Sequence, residues 1–172
     1  MELSPAIKEA FYRAVNARRG FRRRARNVYY GFLLRSLGKK SWIADGVRIF
    51  APQNVSIGSN TFVNDDVIIQ SCEGALVTIG DFVVLSYGVK ILTGGLIMES
   101  RSFETHHTLD VTISNGVWIG ASSIILPGVT LGDGVVVAAG SVVNKSFPAN
   151  SLVAGVPARL VKQIPPATGM AS

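Results

Sequence analysis

ISNGVW-IGASSI-ILPGVT-LGDGVV-VAAGSV, residues 113–142, is a run of hexapeptides that each open on Ile, Leu or Val, and Val143 opens one more. An apolar residue at every sixth position matches neither the 3.6-residue period of an α-helix nor the two-residue alternation of a half-buried strand. It matches a solenoid in which short strands meet at corners and one aliphatic side chain per hexapeptide points inward. Three hexapeptides per turn would close a triangular coil of about 18 residues. Gly58, Gly80, Gly120 and Gly132 stand where such a coil needs tight corners.

Working outward, the same phase holds at Ile79, Leu85 and Ile91, before which Glu73–Thr78 reads as an insertion. Earlier still it holds at Ile43, Ile49, Ile57, Val63 and Ile69, with two extra residues around Val55. The expected coil therefore runs from about Ile43 to Gly155. Its one long interruption is a loop over residues 94–110, after which the repeat restarts at Ile113. A solenoid cannot seal its own ends, so caps are expected from residues 1–40 and from a tail over 161–172, leaving 41–160 as the coil domain.

Residues 1–40 read as helix. Pro5 follows Ser4 as a candidate cap, and Ile7, Phe11, Ala14 and Val15 fall at helical spacing up to an expected break at Gly20. A second apolar set, Val28, Tyr29, Phe32, Leu33 and Leu37, ends at Gly38. Between the two lie Arg18, Arg19, Arg22, Arg23, Arg24 and Arg26. The net charge of +6 is concentrated here: residues 1–40 hold eleven Lys or Arg against Glu2 and Glu9, whereas residues 41–172 hold six against nine acidic residues. A basic terminal segment on a mildly acidic body argues against a nucleic-acid-binding face. The segment reads either as a solvated helical face or as an electrostatic contact with an anionic membrane surface or a lipid-linked phosphate. The chain shows no bilayer-length apolar run and no signal-peptide pattern, which points to a cytoplasmic protein, with the membrane's inner face as an alternative site. Cys72 is the single cysteine, so neither an intramolecular disulfide nor a Cys-rich metal site is expected.

The stretch Ile113–Lys162, ending VNKSFPANSLVAGVPARLVK, resembles the C-terminal signature of the hexapeptide-repeat acyltransferases, and within them the maltose, galactoside and polysaccharide O-acetyltransferases. The resemblance implies a left-handed parallel β-helix acting as a homotrimer, with acetyl-coenzyme A in a groove between coils and no metal required. The acceptor it implies is a saccharide hydroxyl, in a surface polysaccharide or glycolipid precursor. In the resembling enzymes a loop His is the general base, for which neutral imidazole suits by its pKa. Both histidines here, His106 and His107, lie in the 94–110 loop. Many relatives carry the base directly after a Thr-Gly or Thr-Ala pair. Thr93-Gly94-Gly95-Leu96 has no His there, so the base is expected at the loop's far end, His106 ahead of His107. Glu104 or Asp110 are candidates to orient it, and the Gly–Ala and Gly–Ser corners are candidates to hold the oxyanion.

Carried over residue by residue, the resemblance places the pantetheine arm against the backbone of Ala121 and Ala139. It sets Asn144, which replaces a common Thr, and Lys145 near the adenosine end, and Arg159 and Lys162 near the phosphates. Asn64, Asp65 and Asp66 stand where relatives bind acceptor hydroxyls, although polar residues also simply form corners. Tyr87 and Trp118 are candidates to stack on a ligand or to pack between subunits. The gamma-type carbonic anhydrases share the coil but need three separated imidazoles, and this chain has two adjacent ones. An N-acetyltransferase of an amino sugar, a xenobiotic acetyltransferase and a non-catalytic binding solenoid stay open as alternatives.

Overall fold

The computed structural model describes Glu9, Gly20 and residues 22–72, 74–96 and 106–166. Within them the chain winds as a parallel β-helix with three faces. Sheet A stacks β1 (Ser36–Leu37), β4 (Val55–Ile57), β7 (Val77–Ile79), β12 (Val111–Ile113) and β15 (Thr130–Leu131). Sheet B stacks β2 (Trp42–Ile43), β5 (Phe62–Val63), β8 (Val84–Leu85), β13 (Trp118–Ile119), β16 (Val136–Val137) and β18 (Ser151–Gly155), and ends on β19 (Ala158–Gln163). Sheet C stacks β3 (Arg48–Phe50), β6 (Ile68–Gln70), β9 (Lys90–Leu92), β14 (Ile124–Ile125) and β17 (Val142–Val143). The pairing within these sheets is parallel except between β18 and β19.

The register shows why the sequence repeats. Ile79 pairs with Ile113 and Ile113 with Leu131, Leu85 pairs with Ile119 and Ile119 with Val137, and Ile91 pairs with Ile125 and Ile125 with Val143. Each inward aliphatic thus lies on its counterpart one coil away, and these side chains are at most 2% exposed. Each contributes on the order of 2 kcal/mol by leaving water.

The expectation of one inward residue per hexapeptide needs correction, because the fifth position is buried as well. Val117, Val129 and Val135 fill it with aliphatic bulk, and Thr61, Ser123 and Ser141 fill it with a hydroxyl. The hydroxyls are stabilised by the backbone of neighbouring coils: Thr61 Oγ1 donates to Gly80 O at 2.8 Å and Ser123 Oγ to Ala138 O at 3.0 Å. A buried hydroxyl left without a partner would cost about 1–3 kcal/mol. Among the described residues no buried side-chain nitrogen or oxygen lacks one.

The departures from the six-residue period share one corner, where sheet C passes to sheet A (the CA corner). The two extra residues before Val55 form a 3-10 turn over Pro52–Asn54, entered through Ala51 at φ 48°. Residues 71–76 form the second departure and the long loop the third. The corners from A to B (AB) and from B to C (BC) stay regular, so their turns stack without a break.

The N-terminal end is closed by a helix over residues 22–33. Asn27 substitutes for a missing strand: its Nδ2 donates to Ser41 O at 2.6 Å and its Oδ1 accepts from Ile43 N at 3.0 Å. Tyr30 and Leu34 are buried against the end of the core, and the Tyr30 hydroxyl donates to Val47 O at 3.2 Å. The helix starts earlier than its apolar set implied and ends at 33, and Ser36–Leu37 are strand, pairing with Ser56–Ile57. Gly20 is itself helical, and the break expected there falls on neighbours that lie outside the described residues. The first expected helix, apart from Glu9, lies outside the described residues. At the other end β18 and β19 form an antiparallel pair that buries Ala158.

Candidate functional site

The BC corner repeats one turn in successive coils: Ala44-Asp45-Gly46, Asn64-Asp65-Asp66, Ser86-Tyr87-Gly88, Gly120-Ala121-Ser122 and Ala138-Ala139-Gly140. The third residue is left-handed in each, with φ of 71°, 61°, 66°, 59° and 69°. For Asp66 and Ser122, which are not glycine, this conformation costs roughly 1 kcal/mol. The stack offsets it, because each third-residue N–H donates to the middle carbonyl one coil back: Asp66 to Asp45, Gly88 to Asp65, Ser122 to Tyr87 and Gly140 to Ala121, at 2.8–3.0 Å.

The first-position amides of the last two turns are also engaged, Gly120 N on Val137 O at 2.8 Å and Ala138 N on Val153 O at 2.9 Å. The middle amides differ along the column. The Asp45 N–H donates to Asp65 Oδ1 at 2.8 Å. Ala121 and Ala139 have no side chain to serve that purpose, and among the described residues their N–H groups make no hydrogen bond within the chain. Among the described residues the middle amides of Asp65 and Tyr87 are open as well, so what distinguishes the C-terminal half is that its open main-chain donors stand on a small-residue surface.

The N-terminal half is polar and concave. A cavity of about 380 Å³ is lined by Arg23, Arg26, Ala44, Asp45, Gly46, Asn64, Asp65, Asp66 and Tyr87. It unites the three expected acceptor residues with two arginines of the helix. Asn64 Nδ2 is held on Leu85 O at 2.8 Å, while Asp66 is exposed. Arg26 pairs with the Asp45 carboxylate, and the Arg23 guanidinium lies 4.4 Å from the centre of the Trp42 ring. Arg23, Arg26 and Asp45 were not among the expected site residues. Asp45 occupies the same corner position as Asp65, which was a signal available in the spacing. The arginines carried none beyond the general run of charge. Tyr87, on the cavity wall, and Trp118, on the next coil, are 61% and 54% exposed. The Trp118 indole N–H donates to Ser86 Oγ at 3.0 Å.

The two histidines belong to a different corner. The loop leaves the CA corner as an antiparallel pair of β10 (Gly94–Leu96) and β11 (His106–Thr108), with Gly95 opposite His107 and Leu96 opposite His106. Its base is rigid. Leu109 N donates to Thr93 O at 2.9 Å, and buried Thr93 accepts from Cys72 N at 2.8 Å through its hydroxyl. A Cβ on Gly94 would stand 2.5 Å from Cys72 Sγ, which would have to move, and Gly128 is held at φ 79°, a conformation that favours glycine. Asp110, a candidate to orient an imidazole, accepts from Leu76 N at 2.8 Å and fixes the corner. Glu104, the other candidate, lies outside the described residues.

The expected coenzyme residues divide between corners. Ala121 and Ala139 lie at BC, and Arg159 is beside them, because its strand pairs it with Ala154 one coil beyond Ala138. Lys162, opposite Leu152, lies further along the same strand. Asn144 and Lys145 lie at the CA corner with the histidine strand, where Lys145 Nζ sits 5.6 Å from the Phe147 ring centre. A single chain thus collects Asn64, Asp65, Asp66, Ala121, Ala139 and Arg159 by one end of the sheet C strands. It places His106, His107, Asn144 and Lys145 by the other.

Comparison with known proteins matches residues 110–145 to the family described as bacterial transferase hexapeptide (six repeats). The galactoside O-acetyltransferase of Escherichia coli K12 is 36% identical over 131 residues, 75% of this chain and 64% of that enzyme, so the chain spans less than two thirds of its length. A hexapeptide-repeat acetyltransferase of Vibrio cholerae O1 biovar eltor, solved with acetyl coenzyme A, is 33% identical with a TM-score of 0.75, covering 82% of this chain and 77% of that one. A maltose O-acetyltransferase from Clostridium difficile 630 is 35% identical with a TM-score of 0.74, covering 81% and 75%.

Proposed function

We propose, from the premise that this chain belongs to the hexapeptide-repeat transferase family, that it carries an acetyl group from acetyl-coenzyme A to a saccharide hydroxyl. The observation that carries the reading is the BC corner, whose single backbone pattern serves two chemistries. Its N-terminal half presents carboxylates and an amide around a cavity of sugar size, and its C-terminal half presents the open amides of Ala121 and Ala139. Carboxylates suit the several hydroxyls of a sugar, whereas unengaged main-chain N–H groups suit the amide-bearing pantetheine arm. The relatives named for galactoside and maltose acetylation, and the one solved with acetyl coenzyme A, support the same assignment.

In the reaction His106 or His107 takes the proton of the acceptor hydroxyl as its oxygen attacks the thioester carbonyl. The tetrahedral oxyanion is stabilised by a main-chain N–H of the corner. Collapse breaks the carbon–sulfur bond, and the imidazolium returns the proton to the leaving thiolate, so that coenzyme A and an acetyl ester result. Arg159 and Lys162, and Lys145 from the other corner, supply positive charge for the coenzyme's phosphates.

The histidine strand and the BC corner lie at opposite ends of the sheet C strands, which supports a site completed by a second chain. A closed three-fold assembly supplies it by setting the CA corner of one chain against the BC corner of its neighbour.

The test is coenzyme A release from acetyl-coenzyme A over a panel of sugars and sugar nucleotides, for the native protein, His106→Ala and His107→Ala. Acceptor-dependent release lost in one variant that still binds coenzyme A is the expected result. A native protein that binds no coenzyme A would overturn the proposal.

A further inference from the structure

The helix over residues 22–33 uses one side to cap the coil, through Asn27 and Tyr30, with Leu34 buried directly after it. Its opposite side carries Ala25, Val28, Tyr29 and Phe32, spaced i, i+3, i+4 and i+7, which is a single stripe. That stripe is open to solvent. Phe32 is 85% exposed, Val28 61% and Tyr29 60%. The residues beside it on the helix are Arg22 and Arg24, both exposed, one on either flank at 100° per residue. Arg35, Lys39 and Lys40, also exposed, continue the positive charge beyond the helix.

An aromatic and aliphatic ridge bordered on both sides by arginine is the pattern of a helix lying in a lipid interface, rings in the acyl boundary and guanidiniums among phosphates. It does not fit a solvated face, where Phe32 and Val28 would be polar, nor a transmembrane segment: among the described residues no helix is long and apolar enough to cross a membrane. Charge complementarity favours an anionic lipid surface over a protein groove, since the first forty residues hold eleven basic side chains and two acidic ones.

We propose that this helix docks the protein on an anionic phospholipid surface, with Phe32 inserted and Arg22 and Arg24 on headgroup phosphates. Docking on that side leaves the inward side of the helix, with Arg23 and Arg26 at the cavity, turned toward the coil. The proposal is independent of the reaction the coil performs.

The experiment is co-sedimentation of the full chain with vesicles of phosphatidylcholine alone or mixed with phosphatidylglycerol. The native protein is compared with Phe32→Glu and with the double variant Arg22→Glu, Arg24→Glu, and melting and sedimentation velocity are followed for each. The expected result is partition onto the anionic vesicles at least about tenfold above the neutral ones, weakened by salt. Each variant is expected to lose it about tenfold at an unchanged melting temperature. Absence of partition onto anionic vesicles overturns the proposal. So does a Phe32→Glu variant that binds vesicles like the native protein but melts lower or sediments differently, because the stripe would then be covered by protein.

Discussion

The two halves of the BC corner have the same backbone and opposite surfaces. Asp66 and Ser122 share a left-handed φ near 60°, and their amides donate in the same way to the coil before them. Around Asp66 the corner holds Asp45, Asn64 and Asp65. Around Ser122 and Gly140 it holds Gly120, Ala121, Ala138 and Ala139. The difference lies in the middle residue. Asp65 and Tyr87 cover the corner with side chains, and Asp65 also satisfies the Asp45 amide, whereas alanine leaves the main-chain donors uncovered. A repeat that must conserve its turn geometry is thus still able to vary function, because the turn is held by main chain and the outward side chains are released for chemistry.

The most severe break in this picture comes from outside the corner. Removing the proposed base, by His106→Ala or His107→Ala, is expected to lower kcat by about a hundredfold to ten-thousandfold, read in the coenzyme release assay with coenzyme binding measured in parallel. Next is the donor half. Ala139→Glu places a charged side chain where the pantetheine arm would lie, and titration calorimetry should show coenzyme A affinity falling by more than about tenfold, about 1.4 kcal/mol, with melting unchanged. In the proposed acceptor half, Asp65→Ala removes the hydrogen bond to Asp45 N and a proposed sugar contact, and is expected to raise the acceptor KM by about tenfold while the KM for acetyl-coenzyme A stays fixed. An effect of either substitution on both substrates would erase the distinction between the halves.

The smallest effect concerns the cap that supports the cavity. Burial, followed by the neighbouring Tyr29, pushes the Tyr30 phenol above its usual value near 10, against lowering by a backbone hydrogen bond and Arg26. With the folded value raised, the unfolded chain releases this proton first as pH climbs. The contribution is therefore complete below about pH 10 and is lost as pH rises through the folded value. Tyr30→Phe is expected to cost about 1 kcal/mol at neutral pH, by leaving Val47 O without its donor, and to lessen the loss of melting temperature at alkaline pH.

How much of this the sequence showed depended on how strictly each position is constrained. Ile113, Ile119 and Ile125 must recur at six because each lies on a partner in the next coil, and the coil was legible from them alone. The fifth position was missed because Val117 and Ser123 both fit it, one by packing and the other by hydrogen bonding to a neighbouring coil. The end of the helix at 33 was hidden because Leu37, which continues the apolar set, packs against the core from a strand. Asn64, Asp65 and Asp66 were placed together in advance by being consecutive. The separation of Asn144 and Lys145 from Ala121 and Ala139 could have been read from phase: Asn144 follows a sheet C strand and Ala139 a sheet B strand, one corner apart.

That separation underlies the central claim, that histidine strand and BC corner act together only across two chains. The direct test mixes the inactive histidine variant with Ala139→Glu, unfolding and refolding them together in equal amounts, and measures acceptor-dependent coenzyme A release. A shared site predicts recovery to about a quarter of native activity, because random mixing leaves about one interface in four with an intact histidine on one side and an intact corner on the other. A site contained within one chain would carry a lesion in every copy, and no recovery from correctly assembled mixtures would contradict the account.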